Sequence, residues 1–176
     1  MGTKRVGWAR IKSLINENQN QIKIRNDKVV AATTATLTAD QSGATILWDA
    51  SAAGTILTLP AAATGLNFRI ILKDTVHTDD DCQITVTAGD CFYGVITVQS
   101  PSQRNVIAGQ SVTYDTATTT PGSYDLLNFS PDANTTGGLS GDVLHITAVD
   151  ATAWHVEAFL HTTGTAPASV AVIAGS

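Results

Sequence analysis

Three groups of residues in this chain have side chains that could do chemistry: an aspartate cluster, four histidines and two cysteines. The aspartates Asp79, Asp80 and Asp81 are consecutive, and hard cations such as calcium favour clustered carboxylates. Three consecutive side chains cannot all face one ion, however, and no glycine-containing loop with a distal glutamate follows them. The cluster is therefore predicted to be a solvated turn, and no metal site is expected.

The histidines also lack the spacing of a metal site. None of His77, His145, His155 and His161 shares a helix face with another at a ligating interval. His145 and His155 fall in predicted strands that could pair across a turn at 150–152. We interpret them as strand histidines rather than zinc ligands.

The cysteines are predicted to be free thiols. Cys82 and Cys91 flank a predicted turn at Ala88–Asp90 at unequal distances, so a simple hairpin would not place them opposite each other. Neither has the local context of a nucleophile, and the chain contains no G-x-S-x-G motif and no glycine-rich phosphate loop. No catalytic residue and no cofactor is predicted. A glycosidase pair of carboxylates distant in sequence remains open, but the chain is poor in the aromatic and charged residues typical of such clefts.

Composition points the same way. Only 14% of the 176 residues are charged, well below the ~25% usual in soluble domains. No apolar stretch is long enough to span a membrane, and Arg10 and Lys12 interrupt what would be the core of a signal peptide. The sequence therefore predicts a non-enzymatic protein made in a reducing cytoplasm.

Residues 29–176 are predicted to form an all-β body. Many segments alternate apolar and polar residues, as in Val143–Thr147, and turn residues recur every eight to twelve positions or so. This pattern is typical of an antiparallel β-sandwich or barrel, here jelly-roll-like. The predicted strands are Val29–Thr38, Thr45–Asp49, Thr55–Leu59, Phe68–Lys73, Gln83–Thr87, Tyr93–Gln99, Asn105–Ala108, Ser111–Asp115, Tyr124–Phe129, Val143–Val149, His155–Leu160 and Ser169–Ile173.

Residues 1–28 are predicted to form a basic arm with one short amphipathic helix, Val6–Gln19. The arm has seven cations and two anions, a net charge of +5, whereas the body has three cations and thirteen anions, a net charge of −10. The acidic body argues against nucleic-acid binding, and the helix is short for a membrane anchor. A protein partner fits better, although packing of the helix on its own sheet stays open. The predicted partner-binding residues are Lys4, Arg5, Trp8, Arg10, Ile11, Lys12, Leu14 and Ile15.

Two stretches resemble virion proteins. The first 21 residues are similar to the start of structural proteins of tailed bacteriophages, especially marine ones: MGTKRVGWARIKSLINENQNQ. The next stretch resembles the β-rich bodies of phage head decoration (cement) proteins: LTADQSGATILWDASAAGTILTLPAAATGLNFRIIL. The resemblance covers roughly residues 1–75. It implies a capsid-bound β-domain, commonly a homotrimer, that clamps neighbouring major capsid proteins.

From this resemblance we expect a capsid decoration protein that stabilises the outer head surface of a virion assembled in the bacterial cytoplasm. The alternative is a tail or fibre component, or a receptor-binding module that recognises host glycans. That alternative predicts exposed aromatic residues at a loop end around Tyr114 and Tyr124.

Overall fold

The chain folds into two β-sheets that share one hydrophobic core. The computed structural model describes residues 11–13, 29–77, 82–99, 106–112, 124–129, 137–162 and 173–174, with the backbone alone at 29–30, 106–112 and 173–174. The strands are β1 Val29–Ala32, β2 Ala35–Thr36, β3 Thr45–Trp48, β4 Ile56–Thr58, β5 Asn67–Leu72, β6 Cys82–Thr85, β7 Cys91–Gln99, β8 Val106–Val112, β9 Leu126–Phe129, β10 Val143–Ala148, β11 Ala153–His161 and β12 Ile173–Ala174. A single 3-10 turn, Ala39–Gln41, precedes β3.

The seven-stranded sheet has the order β1-β3-β5-β10-β11-β7-β8, and the five-stranded sheet has the order β12-β9-β6-β4-β2. From β1 to β7 the chain alternates strictly between the two sheets. Strands two apart in sequence therefore become parallel neighbours: β1 with β3, β3 with β5, β2 with β4, and β4 with β6. This part of the chain winds through both layers in the manner of a solenoid.

The prediction of an all-β body is confirmed, but the expected antiparallel arrangement is wrong because both sheets are mixed. Antiparallel pairing is found where β10 contacts β5 and β11, where β7 contacts β8, and around β9. The alternation of buried and exposed residues is the same for a parallel and an antiparallel strand. The pattern therefore identified the strands without identifying their partners.

The predicted strand Val29–Thr38 is divided at Thr33 and Thr34, where the chain crosses between the sheets. The indole Nε1 of Trp48 donates a hydrogen bond to the carbonyl oxygen of Thr33 at 3.2 Å, and the Ile56 N–H donates to Oγ1 of Thr34 at 3.3 Å. These bonds satisfy polar groups at a point where neither sheet ladder can do so.

The two strands predicted at Asn105–Ala108 and Ser111–Asp115 are a single strand, β8. Gly109, which falls between the two predicted strands, lies in the ladder opposite Thr97 of β7. Because β8 is at the edge of the sheet, a glycine is accommodated there without interrupting a central ladder.

The core lies between the sheets and is dominated by aromatic and branched side chains. Trp48 of β3 contacts Phe129 of β9 at 5.7 Å between ring centroids, which joins the two sheets. Phe68 and Trp154, on β5 and β11, contact each other at 6.0 Å. Each of these residues is 0–2% exposed, and burying one such side chain stabilises a fold by roughly 1.5–3 kcal/mol.

Candidate functional site: the outer face of the seven-stranded sheet

Most of the predicted partner-binding residues of the arm lie outside the described residues. Residues 11–13 are helical and exposed, and this short piece includes Ile11, which is 37% exposed, and Lys12. Lys4, Arg5, Trp8, Arg10, Leu14 and Ile15 are in the part of the arm that the structure does not describe. The prediction that this stripe binds a partner therefore stays a prediction.

The described residues that were considered for metal binding do not form a site. Asp79, Asp80 and Asp81 lie outside the described residues. His145 and His155 are on the paired strands β10 and β11, but they are not opposite each other: His145 faces Glu157, and His155 faces Thr147. Within the described ranges, no three histidine, cysteine, aspartate or glutamate side chains form a group that could hold a metal ion.

The two cysteines are free, as predicted, and lie in different sheets. Cys82 is fully buried in β6, and its Sγ donates to the carbonyl oxygen of Ala50 at 3.4 Å. Cys91 is 1% exposed in β7. Burial, and then the nearby Asp150 and Asp90 carboxylates, raise the pKa of the Cys91 thiol above 9.0. Both effects disfavour the thiolate, so Cys91 is a poor nucleophile.

A buried aspartate and a histidine at the end of β11 form the closest approach of two ionisable side chains in the described structure. Oδ1 of Asp142 lies 2.7 Å from Nδ1 of His161. Oδ2 of Asp142 accepts hydrogen bonds from the backbone N–H groups of Gly138, Leu139 and His161 at 2.9, 3.0 and 3.0 Å. The aspartate side chain is fully buried, whereas that of His161 is 52% exposed.

This Asp–His pair has the geometry that orients a general base in many hydrolases, but here its bonds serve the backbone. Three of the four groups that Asp142 binds are main-chain amides of the loop before β10 and of β11. Among the described hydrogen bonds, none joins Nε2 of His161 to a serine, threonine or cysteine side chain, as a nucleophile would require. The hydrogen bonds of Asp142 therefore hold the loop at 137–142 against the end of β11.

Other aspartates of the body act in the same way. Oδ2 of Asp90, a buried residue, accepts from the Ala62 N–H at 2.8 Å. Oδ1 of Asp150 accepts from the Thr152 N–H at 2.7 Å within its own turn. In these positions the carboxylates satisfy backbone donors that no strand partner reaches.

The most exposed apolar surface lies on the side of the seven-stranded sheet that points away from the core. We call this surface the outer face, and it is formed by alternate residues of β3, β5, β10, β11 and β7. Phe159 is 63% exposed and Val95 is 48% exposed, the largest values among the described large apolar residues. The outer face consists of Thr45, Leu47, Asn67, Arg69, Ile71, Tyr93, Val95, Thr97, Val143, His145, Thr147, His155, Glu157 and Phe159.

Strand register orders these residues into rows that cross the sheet. One row is predominantly apolar and runs Leu47–Ile71–Val143–Phe159–Thr97. Side chains directly opposite on neighbouring strands are close enough to contact each other. The row is therefore a continuous apolar stripe across β3, β5, β10 and β11 that ends at Thr97 of β7, and Phe159 is its most exposed apolar member.

A second row beside it carries the charges of the outer face and runs Thr45–Arg69–His145–Glu157–Val95. Arg69, His145 and Glu157 are exposed. Within the described structure, neither Arg69 nor Glu157 forms a salt bridge. An arginine and a glutamate that stand two strands apart without partners are available to charges on another molecule.

A shallow hollow of about 260 Å³ lies between β7 and β11, lined by Val95, Thr97, Glu157, Ala158 and Phe159. The neighbouring row carries an edge-to-face contact of Tyr93 with His155 at 5.0 Å between ring centroids. The outer face thus combines aromatic, aliphatic and charged groups, a composition typical of protein interfaces.

Tyr124 is not part of an exposed aromatic cluster, because it is half-buried and packs against the core. Tyr114 lies outside the described residues. The prediction of exposed aromatic residues near these positions is therefore wrong for Tyr124.

Sequence reasoning did not single out Phe159 as a surface residue. The signal that could have identified it as a surface residue was the alternation of β11, because Phe159 lies on the same face of the strand as the polar residues His155 and Glu157.

Comparisons with protein-family models, with curated proteins and with solved structures give no match. None of the helical residues that the structure describes belongs to a helix long and apolar enough to cross a membrane.

Proposed function

We propose that this chain is a non-enzymatic virion protein that decorates the outer surface of a bacteriophage head and stabilises it by bridging major capsid proteins. The resemblance of residues 1–75 to phage head decoration proteins suggests this class of protein. The observation that supports it in the structure is the outer face, where a stripe of half-buried and exposed apolar side chains, and two charges that form no salt bridge among the described residues, offer a surface for protein contacts.

In this proposal the two sheets form a sandwich-like body, and the basic arm is the capsid-binding element. The arm carries +5 and the body −10, so the arm is the part suited to an acidic groove on the capsid. The apolar side chains Trp8, Ile11, Leu14 and Ile15 would enter that groove with cations at its rim. Many weak contacts of this kind across the head would together resist the internal pressure of packaged DNA. Self-association, as the homotrimer that the resemblance implies, would multiply them.

Capsid binding can be tested by sedimentation with heads of the virus whose genome encodes the chain. A variant that lacks residues 1–21 should fail to co-sediment, while circular dichroism shows an intact β-body. A full-length variant with Trp8, Ile11, Leu14 and Ile15 replaced by alanine should bind weakly, and Ile56→Ser, on β4 of the five-stranded sheet, serves as the control. Unchanged binding of the shortened variant would refute the role of the arm.

A tail or fibre component, or a glycan-recognising receptor-binding module, is the second candidate. It is favoured by Phe159, an exposed aromatic ring beside a hollow of about 260 Å³, because sugar rings stack on such surfaces. Immunogold labelling of virions separates the candidates. Label on the head supports decoration, label on the tail supports the alternative, and virions without label would exclude both.

A further inference from the structure

The charged row of the outer face has a symmetry that points to its occupant. Arg69 of β5 and Glu157 of β11 lie on either side of His145 of β10, one strand away in each direction. Neighbouring strands are ~4.8 Å apart, so the cation and the anion are equally distant from β10 and about 10 Å from each other. Their charges are opposite, and neither forms a salt bridge among the described residues.

From this arrangement we infer that the outer face binds a second copy of the same chain, about a two-fold axis that runs along β10 in the plane of contact. A two-fold interface is self-complementary, because each contact occurs twice with the partners exchanged. Rotation about β10 exchanges β5 with β11. Arg69 of one copy then faces Glu157 of the other, and the pair is formed twice.

The same rotation matches the apolar stripe to itself. Ile71 of one copy faces Phe159 of the other, and Val143 meets its own equivalent on the axis. On the outer strands, Leu47 of β3 faces Thr97 of β7. Phe159, which is 63% exposed in the single chain, would be covered by an aliphatic side chain. One operation thus pairs Arg69 with Glu157 and matches the apolar groups, and it places His145 against its own equivalent on the axis.

Alternative occupants fit less well. A two-fold axis that runs across the strands through the charged row would instead place Arg69 against Arg69 and Glu157 against Glu157, and such like-charge contacts are unfavourable. The basic arm of the same chain is not a good occupant either, because Arg69 and Glu157 balance and the outer face offers no net negative charge to a segment of +5. A second copy is the occupant that supplies an anion where this face has a cation, and a cation where it has an anion.

The size of the face sets the expected strength. Five strands and three side-chain rows span roughly 20 Å by 13 Å, and with side-chain margins two copies would bury on the order of 1,000 Å² in total, near the lower limit for specific interfaces. The pair should therefore be reversible and concentration-dependent. This inference does not depend on the capsid proposal.

The proposed pairing can be tested by reversing each charge separately and then mixing the two variants. Sedimentation equilibrium of the full chain, 18.3 kDa, should show assemblies with an even number of copies: dimers, or hexamers in which the outer face pairs two of the trimers proposed above. Arg69→Glu and Glu157→Arg should each weaken the pairing at least tenfold, since each variant faces like charges across the axis. Mixing the two single variants should restore pairing, because each then meets the opposite charge, and the double variant Arg69→Glu/Glu157→Arg should also pair.

Phe159→Ser should weaken pairing in every background, whereas Ile56→Ser, which removes a 38% exposed side chain from the five-stranded sheet, should not. A chain that is monomeric at millimolar concentration, or a trimer unaffected by the substitutions, would overturn the inference. So would single variants whose mixture fails to recombine. If Arg69→Glu instead abolishes binding to heads while the isolated chain is monomeric, the occupant is a different protein.

Discussion

Replacing Asp142 with alanine should destabilise the fold more than any other single carboxylate removal in the described body. Asp142 is fully buried, and its carboxylate is the only described acceptor for the N–H groups of Gly138, Leu139 and His161. The substitution leaves these donors without an acceptor and opens a small cavity beside them. The loop at 137–142 would then lose its attachment to β11.

The magnitude follows from the burial of the three donors. An unsatisfied buried donor costs about 1–3 kcal/mol, and two of the three hydrogen bonds are only partly buried, so water can replace the carboxylate there. We expect Asp142→Ala to lower the free energy of unfolding by about 3–5 kcal/mol. For a chain of this length that corresponds to a fall in Tm of roughly 6–20 °C.

Asp142→Asn is the matched control. The asparagine retains an oxygen where Oδ2 lies, but it loses the charge and replaces Oδ1, which accepts from the His161 N–H at 3.1 Å and contacts its Nδ1 at 2.7 Å, with an NH2 donor. We therefore expect a cost of about 1–2 kcal/mol. Asp40→Ala, at an exposed position of the 3-10 turn, should change stability by less than about 0.5 kcal/mol. Urea unfolding followed by circular dichroism measures all three. The reasoning is refuted if alanine costs under about 1 kcal/mol, or if asparagine is as damaging as alanine.

Two further predictions concern the backbone and the pH dependence. Gly94→Ala should cost more than about 3 kcal/mol, because a Cβ there would overlap the carbonyl oxygen of Val156 in β11. Gly89→Ala, also at positive φ but with open space around it, should cost about 1–2 kcal/mol in the same urea titration. Hydrogen bonds from the Ser51 hydroxyl and from Lys73 lower the pKa of Asp49 from 3.8 to about 2. The stabilisation is therefore present above about pH 4 and lost as the pH falls towards 2, so the stability difference between wild type and Asp49→Asn should shrink over this range; a constant difference would contradict this assignment.

Much of the β-body could be predicted from alternation and turn residues. The inward positions of β5, β10 and β11 follow from a period of two, and Pro60 ends the segment that contains β4, since proline cannot donate to a ladder. The free cysteines were also predictable, and the structure shows them in different sheets. These features could be predicted because each is determined by residues that are close together in the sequence.

The pairing of the strands could not be predicted in the same way. The connections before β3 and β5, residues 37–44 and 59–66, are rich in small residues, and each carries the chain into the other sheet. The outer face depends on the same information, because Arg69 and Glu157 share a row only through the position of β10 between β5 and β11. A single sequence contains no local signal for that order.

The position of the β10–β11 hairpin has a consequence for how the chain is synthesised. The hairpin fills the gap between β5 and β7, two strands that emerge from the ribosome well before it. Until residues 143–161 are made, β5 and β7 each keep an unpaired edge towards that gap, and a nascent chain could pair there with another. Productive folding of the seven-stranded sheet must therefore wait for the late hairpin. Slowed translation before residue 143 should favour aggregation, whereas slowed translation after residue 161 should not.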